Sequence, residues 1–142
     1  MHIWGAQPFD NDAAQAWLDA FGENDFRLID RTLASAANLL PQDHLDDWEA
    51  AEVLAAAECI AAACGLPARD LPPALQEWLV ANQPIQVKPL FITMAQQAVQ
   101  RVYTQSDLQK VWAATEHLDL WETAVTDLLN RLNQLSHNTQ TI

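Results

Sequence analysis

The 142-residue sequence has the composition of a folded domain and a strongly acidic charge. Half of its residues are hydrophobic, 18% are charged, and 19 acidic residues against seven basic ones give a formal net charge of −12 at pH 7. A surface of this sign repels phosphate groups, so we expect no nucleic-acid partner and no docking on an anionic membrane. No apolar run approaches the roughly 20 residues of a membrane span, and no charged-then-apolar leader precedes the first predicted helix, so we expect a cytoplasmic protein.

The opening segment WGAQPFDND, at residues 4–12, is typical of the start of a helix. We predict Asp10 as the N-cap, with Asn11 and Asp12 in the first turn. Carboxylates are favourable there because the backbone N–H groups are unpaired and the helix dipole is positive. Phe9 would then pack on the first turn as a hydrophobic staple.

Trp4 and Gly5 complete this opening segment, the first as an apolar anchor and the second as a bend. An alternative interpretation is a calcium-type loop, because Asp10 and Asp12 alternate. Such a loop needs further oxygen ligands, a glycine at its sixth place and a closing glutamate. An alanine-rich helix follows instead, so we predict helix capping and no metal ligand.

Apolar periodicity, glycine and proline divide the following chain into helices. Apolar residues recur at i, i+3, i+4 and i+7 in the first helix, which we predict to end at Gly22. A second helix is predicted from the cap Asp25 to Pro41, and a third ends at Gly65. The sequence places later helix starts at Pro72 and Pro73, at Pro89, at the capping box Ser106 with Gln109, and at Asp119 with Glu122.

The third predicted helix, WEAAEVLAAAECIAAAC at residues 48–64, is small and apolar on nearly every side. A helix of this kind is usually buried, so we place it at the centre of the fold. Six tryptophans, five of them on separate predicted helices, would fill the space around it, as ordinary core rather than an aromatic binding box. No segment has a convincing strand pattern. The sequence therefore predicts one all-α domain of about seven helices at residues 1–135, with a polar, frayed tail at 136–142.

Glu58 and two cysteines are the chemically distinctive side chains of this central helix. An unpaired buried carboxylate costs several kcal/mol, so a buried Glu58 must be paired or protonated. We predict a structural ion pair, with Arg101 as the partner, over a functional acid. Cys59 and Cys64 lie five residues apart and point in different directions, so we expect no disulfide bond between them.

Signatures of catalysis and of cofactor binding do not occur in the sequence. The four histidines, at positions 2, 44, 117 and 137, are scattered, and no H-E-x-x-H, paired C-x-x-C or E-x-x-H spacing occurs. A phosphate-binding loop would need more glycines, and no G-x-S-x-G elbow is present. We therefore predict no enzyme, no catalytic residue, no metal and no cofactor.

The opening pattern W-G-x-x-P-F-x-N-D comprises Trp4, Gly5, Pro8, Phe9, Asn11 and Asp12. Together with the A-x-x-x-A-A-x-E run and the Gly-x-Pro stop, it resembles the uncharacterised bacterial family known as domain of unknown function 4259. The similarity extends through the tryptophan of the fourth predicted helix and, more weakly, into the last helix. This resemblance supports the all-α architecture, implies a bacterial protein and brings no assigned activity.

The acidic charge is distributed unevenly along the chain. Residues 1–58 contain 12 acidic and two basic residues, whereas residues 59–142 contain seven acidic and five basic ones. One interpretation is a solvated face that gives solubility. Our sharper hypothesis is a protein-binding module that covers a basic partner, as an immunity protein or antitoxin covers a nuclease toxin. A structural or oligomeric helical subunit of unknown role is the alternative, and an uncharacterised enzyme comes last. The predicted partner-binding residues are Asp43, Asp46, Asp47, Glu49 and Glu52.

Overall fold

The fold consists of helices joined by short loops, which confirms the predicted all-α class. The computed structural model describes the backbone of residues 1–140 and the side chains of residues 1–22 and 26–136. Within that part of the chain the only β-type contact is an isolated bridge between Ile3 and Asn11. The helices are α1 (Asp12–Ala37), α2 (Asp47–Ala63), α3 (Pro73–Ala81), α4 (Pro89–Thr104), α5 (Asp107–Ala113) and α6 (Leu118–Gln140).

The first two predicted helices are one continuous helix, α1, so the predicted stop at Gly22 and the predicted cap at Asp25 are wrong. A glycine inside a helix costs only about 0.5–1 kcal/mol relative to alanine. Trp17 and Phe21 before Gly22, and Ile29 after it, are all buried. Burial of one large apolar side chain contributes about 1.5–3 kcal/mol, so packing outweighs the glycine and keeps the helix intact.

Helix α2 is the centre of the fold, as predicted from its alanine-rich sequence. Twelve of its 17 residues are buried, and each of the other five helices contacts it. Alanine side chains allow neighbouring backbones to approach closely from several directions, which a helix with one apolar stripe does not permit.

The end of α2 is a Schellman motif, and this confirms Gly65 as the residue that stops the helix. Gly65 has φ +93°, a left-handed conformation that favours glycine. The Leu66 N–H donates to the Ala61 carbonyl at 2.9 Å, and the Gly65 N–H donates to the Ala62 carbonyl at 3.1 Å. Two carbonyls at the helix end are thereby hydrogen-bonded.

Proline and serine mark the starts of the shorter helices. Helices α3 and α4 begin at Pro73 and Pro89, where the missing N–H of proline has no helical partner in any case. Ser106 caps α5 by accepting from the Gln109 N–H at 3.1 Å, and its hydroxyl donates to the Val102 carbonyl at 2.7 Å. Helix α6 begins at Leu118, so Asp119 lies in its first turn and is not the cap predicted from the sequence.

The tryptophans differ in burial. Trp17 and Trp121 are buried, and the indole N–H of Trp17 donates to the Thr32 hydroxyl at 2.9 Å. Trp78 packs against Phe21 with ring centroids 4.8 Å apart. Trp17, Trp78 and Trp121 therefore pack in the core, as predicted. Within the tail predicted at 136–142, residues 141 and 142 and all side chains from 137 onward lie outside the described residues.

Candidate functional site

Asn11, not Asp10, caps helix α1. Its Oδ1 accepts from the Ala14 N–H at 2.8 Å, and its Nδ2 donates to the Pro8 carbonyl at 3.2 Å. The Asn11 side chain is buried, so both of these groups need partners inside the protein. An amide can donate and accept at once, whereas an ionised carboxylate can only accept. Asp10 lies one residue earlier and accepts from the Gln7 N–H at 3.3 Å.

The first residues of the chain fold back against the start of α1. The Trp4 N–H donates to the Asp10 carbonyl at 2.9 Å, and the Asp12 N–H donates to the His2 carbonyl at 3.0 Å. The Asp12 carboxylate in turn accepts from the His2 N–H at 3.0 Å. Asp12 therefore stabilises both the helix terminus and the strand-like segment paired with it.

Two apolar side chains of the opening segment differ from their predicted roles. The Trp4 side chain is 53% exposed and its ring contacts His2 with centroids 5.7 Å apart, so it is not a buried anchor. Phe9 is buried but lies two residues before the cap, so it is a core residue and not a staple. Gly5 leaves room for the Asp10 carboxylate, because an added Cβ would lie 2.3 Å from Oδ2 of Asp10 and that side chain would have to move.

Glu58 and Arg131 form a buried, bidentate ion pair. Oε1 of Glu58 lies 2.7 Å from Nη2 of Arg131, and Oε2 lies 2.8 Å from Nη1. Glu58 is completely buried, so the expectation that it needs a partner is correct. The predicted partner, Arg101, is wrong: its guanidinium donates to the backbone carbonyls of Leu40 and Asp43 instead.

Arg131 is held by further contacts beside a surface cavity. Its Nε donates to the Asp127 carboxylate at 3.0 Å and its Nη1 to the Leu66 carbonyl at 3.1 Å. Burial opposes the charged guanidinium, but the hydrogen bond and charge of Glu58, together with Asp127, outweigh it and raise the pKa of Arg131. The cavity of about 790 Å³ lies between α6, the α2–α3 loop and the opening segment.

The sequence of α6 contains a signal for this pair. Arg131 is the one basic residue among the described side chains of α6, and it directly precedes the buried Leu132. Because a buried carboxylate requires a cation, the one described base of α6 is a candidate partner for Glu58, which is the one charged residue between Leu54 and Gly65.

The two cysteines of the central helix are free thiols, as expected. Burial, followed by the negative charge of Glu58, raises the pKa of Cys59 well above its ordinary value of 9.0. Burial also raises the pKa of Cys64. Since the thiolate is the reactive form, neither thiol is activated as a nucleophile.

We define the acidic face as the five predicted partner-binding residues, which lie in the α1–α2 loop and the first turns of α2. Three of their carboxylates accept hydrogen bonds from nearby backbone. Asp43 accepts from the Leu40 N–H at 2.8 Å, Asp46 caps α2 by accepting from the Glu49 N–H at 2.7 Å, and Asp47 accepts from the Trp48 N–H at 2.9 Å. The residues of the acidic face are Asp43, Asp46, Asp47, Glu49 and Glu52.

The remaining two carboxylates line a groove of about 320 Å³ between α1 and α2. Glu49 and Glu52 share this groove with Arg31 of α1 and with apolar walls that include Leu28 and Val53. Burial raises the pKa of Glu52, and the charges of Glu49 and Asp46 raise it further. The groove therefore holds two carboxylates and one guanidinium, and the described side chains form no ion pair between them.

Ion pairs with lysine or arginine do not occur on the acidic face within the described part of the chain. Trp48 lies between Asp47 and Glu49 in sequence, and its side chain is 40% exposed. Asp46, Glu49 and Glu52 are close enough for their charges to interact, and the exposed Trp48 indole lies in the same first turns of α2. This end of the helix can therefore bind a cationic surface by charge and by cation–π contact.

Neither a metal site nor a membrane span is found among the residues that the structure describes. No group of three or more histidine, cysteine, aspartate or glutamate side chains is placed to hold a metal ion there. The helices of that same region lack the combination of length and hydropathy that crossing a membrane requires.

The comparisons with known proteins identify one family. A family model described as Domain of unknown function (DUF4259) matches residues 3–124 of the 142-residue chain. The match includes the opening segment, the acidic face and Glu58, and it ends before Arg131. No curated protein and no solved structure matches the chain.

Proposed function

Because the chain belongs to the family described as Domain of unknown function (DUF4259), we propose its function from the geometry of its surface. We propose that it is a non-enzymatic protein-binding module whose acidic face covers a basic protein partner. An immunity protein or antitoxin bound to a nuclease toxin is the type of complex that this surface suits best. A cytoplasmic, bacterial setting belongs to the same proposal.

The observation that carries the proposal is the charge of the acidic face, whose carboxylates form no ion pair with lysine or arginine among the described residues. The backbone hydrogen bonds of Asp43 and Asp46 need an acceptor oxygen and not a negative charge, whereas like charges that lie close together repel one another and destabilise the compact state. Burial is the largest cause of the raised pKa of Glu52, and the negative charges of Glu49 and Asp46 add to it. A cationic partner would relieve the repulsion, so the charge is unfavourable in the free protein and favourable in a complex.

The shape and chemistry of the acidic face also support a protein partner. Tryptophan is enriched among the residues that contribute most to binding energy at interfaces, and Trp48 is exposed within the face. The groove beside Glu49 and Glu52 has apolar walls that suit the aliphatic part of a lysine or arginine side chain. Charge would then set the association rate and the groove would add specificity.

The test compares two variants with equal net charge in a pull-down from the native host. The first converts the acidic face to Asn and Gln, which retain the backbone hydrogen bonds of Asp43 and Asp46. We expect wild-type protein to retain a basic partner that this variant loses. The matched control converts five exposed carboxylates elsewhere: Asp19, Asp70, Glu77, Glu116 and Asp119.

Equal retention of the partner by both variants would contradict the proposal, since net charge and not the acidic face would then govern binding. Mass spectrometry identifies the retained protein. A gene for a large basic toxin directly upstream would favour the immunity role specifically.

The second candidate function is an oligomeric helical subunit. Large apolar side chains are exposed away from the acidic face, among them Val80 at 72% and Leu90 at 64%. Apolar surface of this kind can form an interface between copies. Sedimentation velocity distinguishes the two functions, because self-association at micromolar concentration favours the subunit and a monomer favours the binding module.

A further inference from the structure

The loop that begins the acidic face is held by one arginine of helix α4. Nη1 of Arg101 donates to the Leu40 carbonyl at 3.0 Å, and Nη2 donates to the Asp43 carbonyl. Nε donates to the Gln105 carbonyl at 3.0 Å. One guanidinium therefore connects the end of α4 to both carbonyls of a single turn in the α1–α2 loop.

That turn is also closed by its own hydrogen bonds. The Asp43 N–H donates to the Leu40 carbonyl at 3.0 Å, and the Leu40 N–H donates to the Asp43 carboxylate at 2.8 Å. Arg101 thus binds the outside of a turn whose shape fixes the Asp43 side chain. A movement of Leu40 relative to Asp43 would break both sets of bonds together.

Two neighbours of Arg101 extend the attachment along the loop. Nε2 of Gln105 donates to the Pro41 carbonyl at 2.5 Å. The Asp107 N–H donates to the Leu45 carbonyl at 3.0 Å, and the Asp107 carboxylate lies 2.8 Å from Nε2 of His44. The end of α4 and the start of α5 therefore contact the loop at successive residues up to the start of α2.

Carbonyl oxygens, and not carboxylates, are the partners of Arg101 among the described residues. The planar guanidinium presents its N–H groups in a fixed fork, which a lysine ammonium cannot reproduce. Arg101 therefore fixes the geometry of the loop and does not neutralise a carboxylate. Holding a binding loop in its bound shape lowers the entropy lost on association.

From these contacts we infer that Arg101 is a positioning residue for the acidic face. It holds the α1–α2 loop, and with it the Asp43 carboxylate, against the end of α4. This inference rests on the proposed function for its purpose, whereas the ordering of the loop by Arg101 can be tested without any partner.

The direct test is amide hydrogen exchange, measured by NMR, on the Arg101→Lys variant, which keeps the charge. We expect exchange at the Leu40 and Asp43 amides to accelerate about tenfold or more, because charge-assisted hydrogen bonds to the turn are lost. Arg27→Lys is the matched control, since Arg27 is an exposed arginine of α1. Exchange at these amides that matches the control would overturn the inference.

A second variant keeps the test decisive if Arg101→Lys fails to fold. Gln105→Ala removes only the bond to the Pro41 carbonyl, and it should accelerate exchange in the same turn by a smaller factor. Unchanged exchange in this variant, with Arg101→Lys unfolded, would assign Arg101 to fold stability alone and overturn its positioning role.

Binding of a fluorescein-labelled nona-arginine peptide separates this inference from the proposed function. If wild-type protein shows no salt-dependent binding, the proposed function fails while the exchange result still stands. If wild-type protein binds and Arg101→Lys binds equally well despite faster exchange, the inference fails and the proposed function stands. We expect Arg101→Lys to bind several-fold more weakly than Arg27→Lys, although the two carry the same charge.

Discussion

Glu58 of α2 and Arg131 of α6 join the central helix to the last helix through two short hydrogen bonds, 2.7 and 2.8 Å long. The carboxylate is completely buried and the guanidinium side chain is 14% exposed. A charged pair inside a core contributes little net stability compared with apolar side chains of the same shape, yet loss of one partner is costly. The pair therefore acts as a constraint on how α6 docks against α2.

Removal of one partner of this pair should destabilise the fold. Glu58→Gln is expected to lower the free energy of unfolding by about 3 kcal/mol, because Arg131 then keeps only the exposed Asp127 as a counterion for its charge. The double variant Glu58→Met with Arg131→Met should recover most of this loss. Urea denaturation measures both. A Glu58→Gln variant of wild-type stability that has lost binding would make Glu58 a functional residue.

The cap of α1 should be sensitive at Asn11 and much less so at Asp10. Asn11→Ala is expected to cost about 0.5–2 kcal/mol of stability, because the Ala14 N–H loses its acceptor. The Pro8 carbonyl would lose its donor as well. Thermal denaturation of Asn11→Ala and Asp10→Ala side by side gives the comparison. A larger loss for Asp10→Ala would contradict the assignment of the cap.

The acidic face should make stability depend on pH through Glu52. Its pKa is raised in the folded protein above the ordinary value of 4.5, so the folded state holds this proton more tightly than the unfolded chain does. The ionised Glu52 side chain therefore destabilises the fold. This destabilisation is absent below about pH 4.5 and complete above the pKa of Glu52 in the folded protein. Glu52→Gln should therefore raise the melting temperature at pH 7, and the difference should disappear as the pH falls below about 4. An equal rise in melting temperature at neutral and at acidic pH would show that the raised pKa of Glu52 is not its cause.

The thiol of Cys59 should not react in the folded protein. At pH 8 burial and the nearby Glu58 charge keep it protonated, and a thiol is a poor nucleophile. In a Cys64→Ser variant, a colorimetric disulfide reagent should label no thiol until denaturant is added. Rapid labelling under native conditions would show that the central helix opens or that the thiol is activated.

The preferences of single residues were enough to predict the helix ends that depend on residues close in sequence. Pro73, Pro89 and Gly65 mark helix ends because proline lacks an N–H and glycine adopts positive φ, and the structure confirms each. Gly22 obeys the same local preference but lies within a helix whose buried face continues past it. Long-range packing, which the local pattern does not contain, decides that case.

The candidate site was also predicted only in part, because its contacts depend on long-range packing. The need of Glu58 for a partner follows from the cost of a buried charge, but the choice of Arg131 depends on how α6 packs, 73 residues away in sequence. The preference for Asn11 over Asp10 as the cap depends on a carbonyl that only the folded opening segment supplies. The binding role of the acidic face stays a prediction.

The association rate of the partner retained in the pull-down is the measurement that tests this role most directly. Wild-type association should slow as salt shortens the screening length from about 30 Å at 0.01 M to about 8 Å at 0.15 M. Conversion of the acidic face to amides should slow association about tenfold or more at low salt, and the control variant with the same net charge should slow far less. An association rate that ignores both salt and the five amide substitutions would contradict the account and leave the acidic face as a solvated surface.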